Sequence, residues 1–190
     1  EQAYSPMTVR FFMLQSHYRS TLDFSNDALK AAQKGYRRLA NGLRISRKLT
    51  YAPTYESALD EAKQQDIRQA VQQFYEAMND DLNTAVGIAQ LFTLLKYINM
   101  LYLNQLQVSA LGEEVFNLLN ESFATFMQDV LGLLEEGTDK QPVLEGLLTL
   151  YREYKEQKQY DKVDQIRSYF KAQGLAIKDM KHQIDWAYEE

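Results

Sequence analysis

Residues 25–47, SNDALKAAQKGYRRLANGLRISR, have an apolar spacing that is typical of an amphipathic helix. Ser25 is a residue type preferred at a helix N-cap, and Asp27 in the first turn favours the positive end of the helix dipole. Apolar side chains then recur every three or four residues and form one stripe, at Leu29, Ala32, Tyr36, Leu39 and Leu43. Gly35 and Gly42 each weaken such a helix by about 1 kcal/mol relative to alanine. We therefore predict one long helix with one buried face over this stretch.

Most of the remaining chain shows the same helical spacing of apolar residues, and glycine and proline are scarce, at 8 and 3 of 190 residues. Further helices are predicted over about residues 6–16, 59–78, 84–103, 113–133, 142–157 and 160–173. Gly174 is expected in the left-handed conformation that ends a helix, and residues 175–177 are a candidate short strand. The fold class is therefore predicted to be all-α: an antiparallel helical bundle followed by a small C-terminal helical subdomain with at most a short β element.

The best candidate for a linker is EEGTDKQP, residues 135–142, which is acidic and contains both glycine and proline. It separates the predicted bundle from the last two helices. We therefore predict a helical bundle that ends at residue 137 and a small subdomain over residues 138–190.

The net charge of −5 hides an uneven distribution along the chain. Residues 28–55 contain seven basic side chains and no acidic one, whereas residues 56–150 contain 15 acidic and four basic ones. The basic stretch falls on the predicted second helix. A row of cations without nearby carboxylates suits a phosphate backbone, because each contact releases condensed counterions. The alternative is an ordinary solvated helix face, and composition leaves both interpretations open.

Several kinds of catalytic and metal site are disfavoured by what the chain lacks. There is no cysteine, which excludes disulfides, thiolate metal sites and cysteine nucleophiles. The two histidines, His17 and His182, are far apart in sequence without ligand-like companions, so no metal site is predicted. Neighbouring carboxylates stand at predicted helix boundaries, where the helix dipole accounts for them better than acid–base catalysis does. No glycine-rich phosphate loop and no apolar run of about 18 residues is present, so no nucleotide site and no membrane span are predicted.

Four motifs carry a resemblance to a known family. They are VRFFMLQSHYRSTLDFSNDAL (residues 9–29), FYEAMNDDLNTAVGIAQLF (74–92), VLGLL (130–134) and KQYDKVDQIRSYFKAQGLAIKDMKHQIDW (158–186). Each resembles a motif of cysteinyl-tRNA synthetases, which are class I aminoacyl-tRNA synthetases. The motifs stand in the family's order and are spread over residues 9–186, nearly the whole length of the chain, so the match is specific.

The resemblance implies the C-terminal region of such an enzyme, without its catalytic core. The parent enzyme ligates cysteine to its cognate tRNA with ATP, and the family's ATP and zinc sites belong to the core. This chain is therefore expected to hold no catalytic residue, no metal and no cofactor, and to be inactive alone. Its expected partner is a cysteine-specific tRNA, with no DNA and no membrane, and it is expected to be a cytoplasmic monomer. Residues 1–24 would then be the end of the junction with the core, residues 25–137 the helical bundle and residues 138–190 the anticodon-binding subdomain.

Residue roles follow from the resemblance by position. Anticodon recognition is implied for Lys155, Tyr160, Asp164, Asp179 and Trp186. The two aromatic residues can stack on unpaired bases, or can belong to the subdomain core instead. Lys155 stands where the family more often has arginine, and lysine lacks the planar bidentate fork, so it is better suited to phosphate than to a base edge. Ile184 and Asp185 replace the family's usual Gly-Thr, so the tail is expected to pack differently.

Contacts to the tRNA backbone are expected from the basic second helix and from the junction. The expected residues are Arg19, Lys30, Lys34, Arg37, Arg38 and Arg44. His17 and Tyr18, beside Arg19, are interpreted as packing and capping residues. The competing hypothesis is a helical protein-interaction module with no RNA role, which would use an exposed apolar groove and bind with little dependence on salt.

Overall fold

The computed structural model describes residues 3–52, 58–136, 141–180 and 183–189. His182 and much of the predicted linker, including Gly137, lie outside the described residues. The chain forms two compact units, Glu1–Leu134 and Glu135–Glu190. They are called the N-terminal and the C-terminal unit below.

The N-terminal unit is built from helices. Its elements are α1 (Pro6–Leu14), α2 (Asn26–Ser46), α3 (Glu61–Asn79), α4 (Thr84–Tyr102), a 3-10 turn (Val108–Ala110) and α5 (Gly112–Thr125), which continues as a π-helical segment (Phe126–Val130). α3 packs along α4, α1 packs along α2, and α2 also contacts α4. The predicted fifth helix therefore exists, but its last turn is π-helical rather than α-helical.

The C-terminal unit combines two helices with a hairpin. Its elements are α6 (Gln141–Glu156), α7 (Tyr160–Ala172), β1 (Leu175–Asp179) and β2 (Ile184–Tyr188). The strands are antiparallel, and Gly174 between α7 and β1 has the expected positive φ of 68°. Leu148, Tyr151, Phe170 and Trp186 form the centre of a separate small core. The predicted all-α class with a short β element is confirmed, although sequence reasoning found β1 and missed β2.

Helix α2 begins as its sequence predicts. The Ser25 side chain accepts a hydrogen bond from the Ala28 backbone N–H at 3.3 Å, and the apolar stripe that begins at Leu29 faces the core. Its last two turns differ from the prediction, because every residue from 39 to 46 is buried. The first half of α2 therefore lies at the surface, whereas its second half passes through the core.

Gly42 marks the point where α2 comes closest to its neighbours. A Cβ atom at this position would lie 2.2 Å from Leu95 Cδ1 and 3.1 Å from Phe123 Cζ. Helix propensity alone favours Gly42→Ala by about 1 kcal/mol. The close contacts reverse that sign, so we expect Gly42→Ala to lower the free energy of unfolding by about 1–3 kcal/mol, as overpacking in a core does.

Urea unfolding followed by far-UV circular dichroism measures this effect. Gly146→Ala is the matched control, because Gly146 lies in α6 and a Cβ there meets nothing within 4 Å. That variant should be stabilised by about 0.5–1 kcal/mol, as propensity predicts. A Gly42→Ala protein more stable than the wild type would contradict the packing described for α2.

Helix α4 is long and apolar enough to span a membrane by length and composition alone. Its most apolar window has a mean hydropathy of 1.3 and is 44% buried within the protein. Leu91, Leu94 and Ile98 are fully buried in the core of the N-terminal unit. A core helix passes the same test, so α4 is weak evidence for a membrane span.

Candidate nucleic-acid interface

The exposed half of α2 presents a row of cations. Lys30, Lys34 and Arg38 are all exposed, and their spacing of four residues places them on one face about 6 Å apart along the helix axis. Lys30 and Lys34 have no ion-pair partner in the described part of the chain, and the Arg38 guanidinium lies 5.3 Å from the centre of the Phe92 ring. This face, called the basic row below, offers positive charge that is not neutralised along its own helix.

The other two arginines predicted on α2 are placed differently. Arg37 is half-buried at the edge of the row, whereas Arg44 is only 3% exposed. Arg44 lies in the half of α2 that passes through the core, so it cannot reach a polyanion at the surface. The prediction of a backbone contact by Arg44 is therefore corrected. The helical period of α2 shows which of its residues share a face, but it does not show how many neighbouring helices pack around α2.

The junction after α1 meets the turn between α3 and α4. The Tyr18 hydroxyl donates to Asp81 Oδ1 at 2.6 Å, and the Arg19 guanidinium approaches the same carboxylate at 3.1 Å. The Arg19 Nε also donates to the Tyr18 hydroxyl at 3.0 Å. His17 stacks on the Tyr18 ring with 4.7 Å between ring centres, and its Nε2 lies 3.7 Å from Asp81 Oδ2. Two motifs that are far apart in sequence therefore meet in one cluster, called the Asp81 clasp below.

The clasp is fixed by the backbone around it. Asp81 and Leu82 both adopt positive φ angles, 58° and 55°, which turn the chain sharply before α4. The Thr84 hydroxyl at the start of α4 donates to the Leu14 carbonyl at the end of α1, at 2.7 Å. The hydrogen bond to the Asp81 carboxylate raises the pKa of the Tyr18 hydroxyl. The carboxylate thus stabilises the protonated form of the hydroxyl, which is the form that donates the hydrogen bond.

The VLGLL motif joins the end of α5 to the first two helices. The Arg10 Nε donates to the Leu131 carbonyl at 2.8 Å, and the Tyr36 hydroxyl donates to the Leu134 carbonyl at 2.5 Å. Gly132 has φ 62°, and a Cβ there would lie 2.5 Å from an Arg10 nitrogen. This motif therefore has a structural role in the N-terminal unit.

In the C-terminal unit, Asp179 at the end of β1 is held by three side chains. The Lys155 ammonium lies 2.8 and 2.7 Å from its two oxygens, the Tyr151 hydroxyl donates at 3.2 Å, and Arg167 lies 3.9 Å away. The hydrogen bond from Lys155 lowers the pKa of Asp179, and the same contact raises the pKa of Lys155. Each charge therefore stabilises the other, and the two groups form a fixed ion pair at the surface.

The remaining predicted anticodon residues divide into exposed and buried ones. Tyr160 is 61% exposed, and the Asp164 side chain is 71% exposed with only a 3.4 Å contact to Arg167. Trp186 is 4% exposed and lies in the core of the C-terminal unit. Of the two roles left open for Trp186, base stacking and core packing, this burial supports the second.

Sequence reasoning missed two surface features of the C-terminal unit. Tyr169 on α7 is 69% exposed. The buried stripe of α7 contains Val163, Ile166 and Phe170, and the helical period places Tyr169 off that stripe. A groove of about 530 Å³ lies beside the Asp179 ion pair. Arg152 lines this groove and donates to the Ile184 carbonyl at 2.9 Å. The groove depends on β2, which was not predicted.

No metal site is found in the described ranges. Among these residues, no group of three or more histidine, cysteine, aspartate or glutamate side chains is placed to hold a metal ion. The surface features that remain as candidates for binding are the basic row, the Asp81 clasp and the surface around Asp179.

Comparison with known proteins gives these features a context. A family model described as a DALR domain matches residues 73–135. The cysteine–tRNA ligase of Cytophaga hutchinsonii is 55% identical over the whole chain, and that of Bacteroides thetaiotaomicron is 38% identical over 97% of it. The predicted resemblance to cysteinyl-tRNA synthetases is confirmed. The cysteine–tRNA ligase of Deinococcus radiodurans is also similar, at 32% identity over 96% of the chain.

The similarity covers the C-terminal region of these ligases. The chain spans 38% of the length of the Cytophaga hutchinsonii ligase and 37% of that of the Bacteroides thetaiotaomicron ligase. The matched DALR domain begins near the end of α3 and includes the turn with Asp81 as well as the VLGLL motif. Of the clasp residues in this chain, Asp81 therefore lies in the matched domain, whereas His17, Tyr18 and Arg19 precede it.

Proposed function

We propose that this chain is the tRNA-binding region of a cysteine–tRNA ligase, and that it contacts the anticodon stem and loop of a cysteine-specific tRNA. The observation that carries the proposal is the exposed basic row of α2, in a stretch of chain without acidic residues. Cations of this kind bind phosphates through counterion release and independently of base sequence. The backbone contacts belong to Arg19, Lys30, Lys34, Arg37 and Arg38.

In this proposal, the C-terminal unit binds the anticodon. Tyr160 offers an exposed aromatic plane for stacking, and Asp164 offers an exposed carboxylate that can accept from base amino groups. Lys155 and Asp179 form a fixed pair beside a groove, with the lysine suited to phosphate. Trp186 contributes by holding the unit together.

In this proposal, the rest of the ligase carries out the ligation reaction. The whole enzyme joins cysteine to its tRNA with ATP, and the ATP and zinc sites lie in the part of the protein that this chain does not cover. The 190-residue chain alone is inactive, cytoplasmic and monomeric, and binds neither DNA nor membranes. Residues 1–24 form the junction with the catalytic core, residues 25–137 the bundle, and residues 138–190 the anticodon-binding subdomain.

Asp164→Ala is expected to reduce the preference for the cognate anticodon by about tenfold, which is the usual cost of one base-reading contact. The measurement is the ratio of the dissociation constants for a cysteine tRNA transcript and for the same transcript with a different anticodon. Asp161→Ala is the matched control, because Asp161 is an exposed carboxylate one turn earlier on the same helix. An unchanged ratio for Asp164→Ala would remove Asp164 from anticodon recognition.

A further inference from the structure

The Asp81 clasp leaves part of the Arg19 side chain available to a ligand. Arg19 uses its Nε on the Tyr18 hydroxyl at 3.0 Å and its Nη2 on Asp81 Oδ1 at 3.2 Å. Its Nη1, which carries two N–H donors, has no partner within the described part of the chain, and the side chain is 69% exposed. The guanidinium is thus held on one edge and open on the other.

Asp81 is itself held by the backbone and by two other side chains. Its positive φ of 58° fixes the turn, and its carboxylate accepts from Tyr18 at 2.6 Å. The Tyr18 ring lies beneath the guanidinium, with 5.3 Å between the arginine carbon and the ring centre, and His17 stacks on that ring. These contacts restrict a long side chain that would otherwise sample many rotamers.

From this arrangement we propose that Asp81 and Tyr18 are positioning residues, which fix the Arg19 guanidinium in the orientation that binds a phosphate of the RNA backbone. A fixed planar fork loses less conformational entropy when it binds a phosphate than a mobile one does. Asp81 contributes to RNA binding through Arg19, although it carries a negative charge. The proposal rests on the proposed function, because it assumes that the chain binds tRNA.

The charge of Asp81 gives the proposal a distinctive sign. A carboxylate near RNA repels phosphates, so removal of its charge alone should tighten binding. If Asp81 positions Arg19, its removal weakens binding instead. Asp80 is the neighbouring exposed carboxylate, and it has no hydrogen-bond or ion-pair partner among the described side chains, so it reports the effect of charge alone.

The experiment titrates a cysteine tRNA transcript with the 190-residue chain and four variants at low salt. Asp81→Asn should weaken binding about threefold to tenfold, the range expected when one long side chain must be ordered on binding. Asp80→Asn should leave binding unchanged or tighten it slightly. Arg19→Ala should weaken binding, and Asp81→Asn should have no weakening effect in the Arg19→Ala background. That dependence on Arg19 separates positioning from a purely structural role, and thermal unfolding checks that the variants are folded.

Tyr18→Phe is a second, milder variant in case Asp81→Asn does not fold. It removes the hydroxyl that accepts from Arg19 Nε, and about a twofold to threefold loss of affinity is expected. Equal affinities for Asp81→Asn and Asp80→Asn, or for Tyr18→Phe and the wild type, would overturn the inference while tRNA binding by the basic row stands. A wild-type chain that does not bind the transcript would overturn both the inference and the proposed function.

Discussion

Trp186→Ala is expected to unfold the C-terminal unit rather than to remove one RNA contact. Trp186 is 4% exposed and packs in the same core as Tyr151 and Phe170. Truncation of a buried tryptophan to alanine typically costs about 3–5 kcal/mol. A unit that spans only Glu135–Glu190 buries a small core and has little stability to lose. The loss should therefore exceed what the unit can tolerate.

Hydrogen–deuterium exchange measures this result separately for each unit. In Trp186→Ala, the amides of α6 and α7 should lose their protection, whereas those of α4 in the N-terminal unit should keep it. Tyr169→Ala is the matched control, because it removes a large aromatic side chain of the same unit that is 69% exposed. That variant should keep the protection of α7. A Trp186→Ala protein with a protected α7 and lost anticodon preference would mean that Trp186 reads a base.

The fold was predictable where a local pattern carries the information. The N-cap at Ser25 and the stripe that begins at Leu29 determine where α2 starts and which face it buries. The burial of Arg44 was not predictable, because it depends on how many helices surround the second half of α2. Gly42 illustrates the same limit. Helix propensity alone favours alanine at this position, but Leu95 leaves no room for a Cβ atom, so the packing requires glycine.

The short strand β2 shows how a real signal was missed. Ile184, Trp186 and Tyr188 alternate with two other residues, which is the period of a strand. Five residues are too few for that period to stand out, and only the pairing of Ile177 with Trp186 across the hairpin shows the strand's place. The place of Trp186 in the core therefore depends on the pairing of β2 with β1, which the local sequence does not show.

The candidate site was predictable in its residue types but not in its geometry. The cations of the basic row follow from the helical period of α2 alone. The contact between Arg19 and Asp81 spans 62 residues of sequence, and no local pattern predicts it. The ion pair between Lys155 and Asp179 spans 24 residues and likewise depends on how α6 and β1 meet. Contacts of this kind are set by tertiary packing, so only the structure identifies Asp81 as a partner of Arg19.

Binding of the cysteine tRNA transcript is expected to weaken by about a hundredfold between 50 and 200 mM salt. The estimate assumes about four phosphate contacts, each contributing about 0.9 to the slope of log affinity against log salt concentration. Of the five cations assigned to the backbone, the count includes the four exposed ones, Arg19, Lys30, Lys34 and Arg38, and leaves out the half-buried Arg37. Contacts to phosphates make binding depend on salt because bound cations are released from the RNA.

The basic row can be tested within the same measurement. Lys30→Ala combined with Lys34→Ala should weaken binding to all tRNAs alike and reduce the slope by about two, since each lysine neutralises one phosphate. Lys63→Ala is the matched control, because Lys63 is already paired with Asp60 and should leave the slope unchanged. A loss of affinity without a change in slope would mean that the two lysines do not contact phosphates.

The tRNA titration at two salt concentrations tests whether this chain holds a folded tRNA through phosphate contacts. If it does, binding is measurable at 50 mM salt and falls steeply at 200 mM salt. No binding at low salt, or an affinity that does not change with salt, would mean that the chain does not hold tRNA through its phosphates. The first of these results would favour the alternative, a helical protein-interaction module with no RNA role.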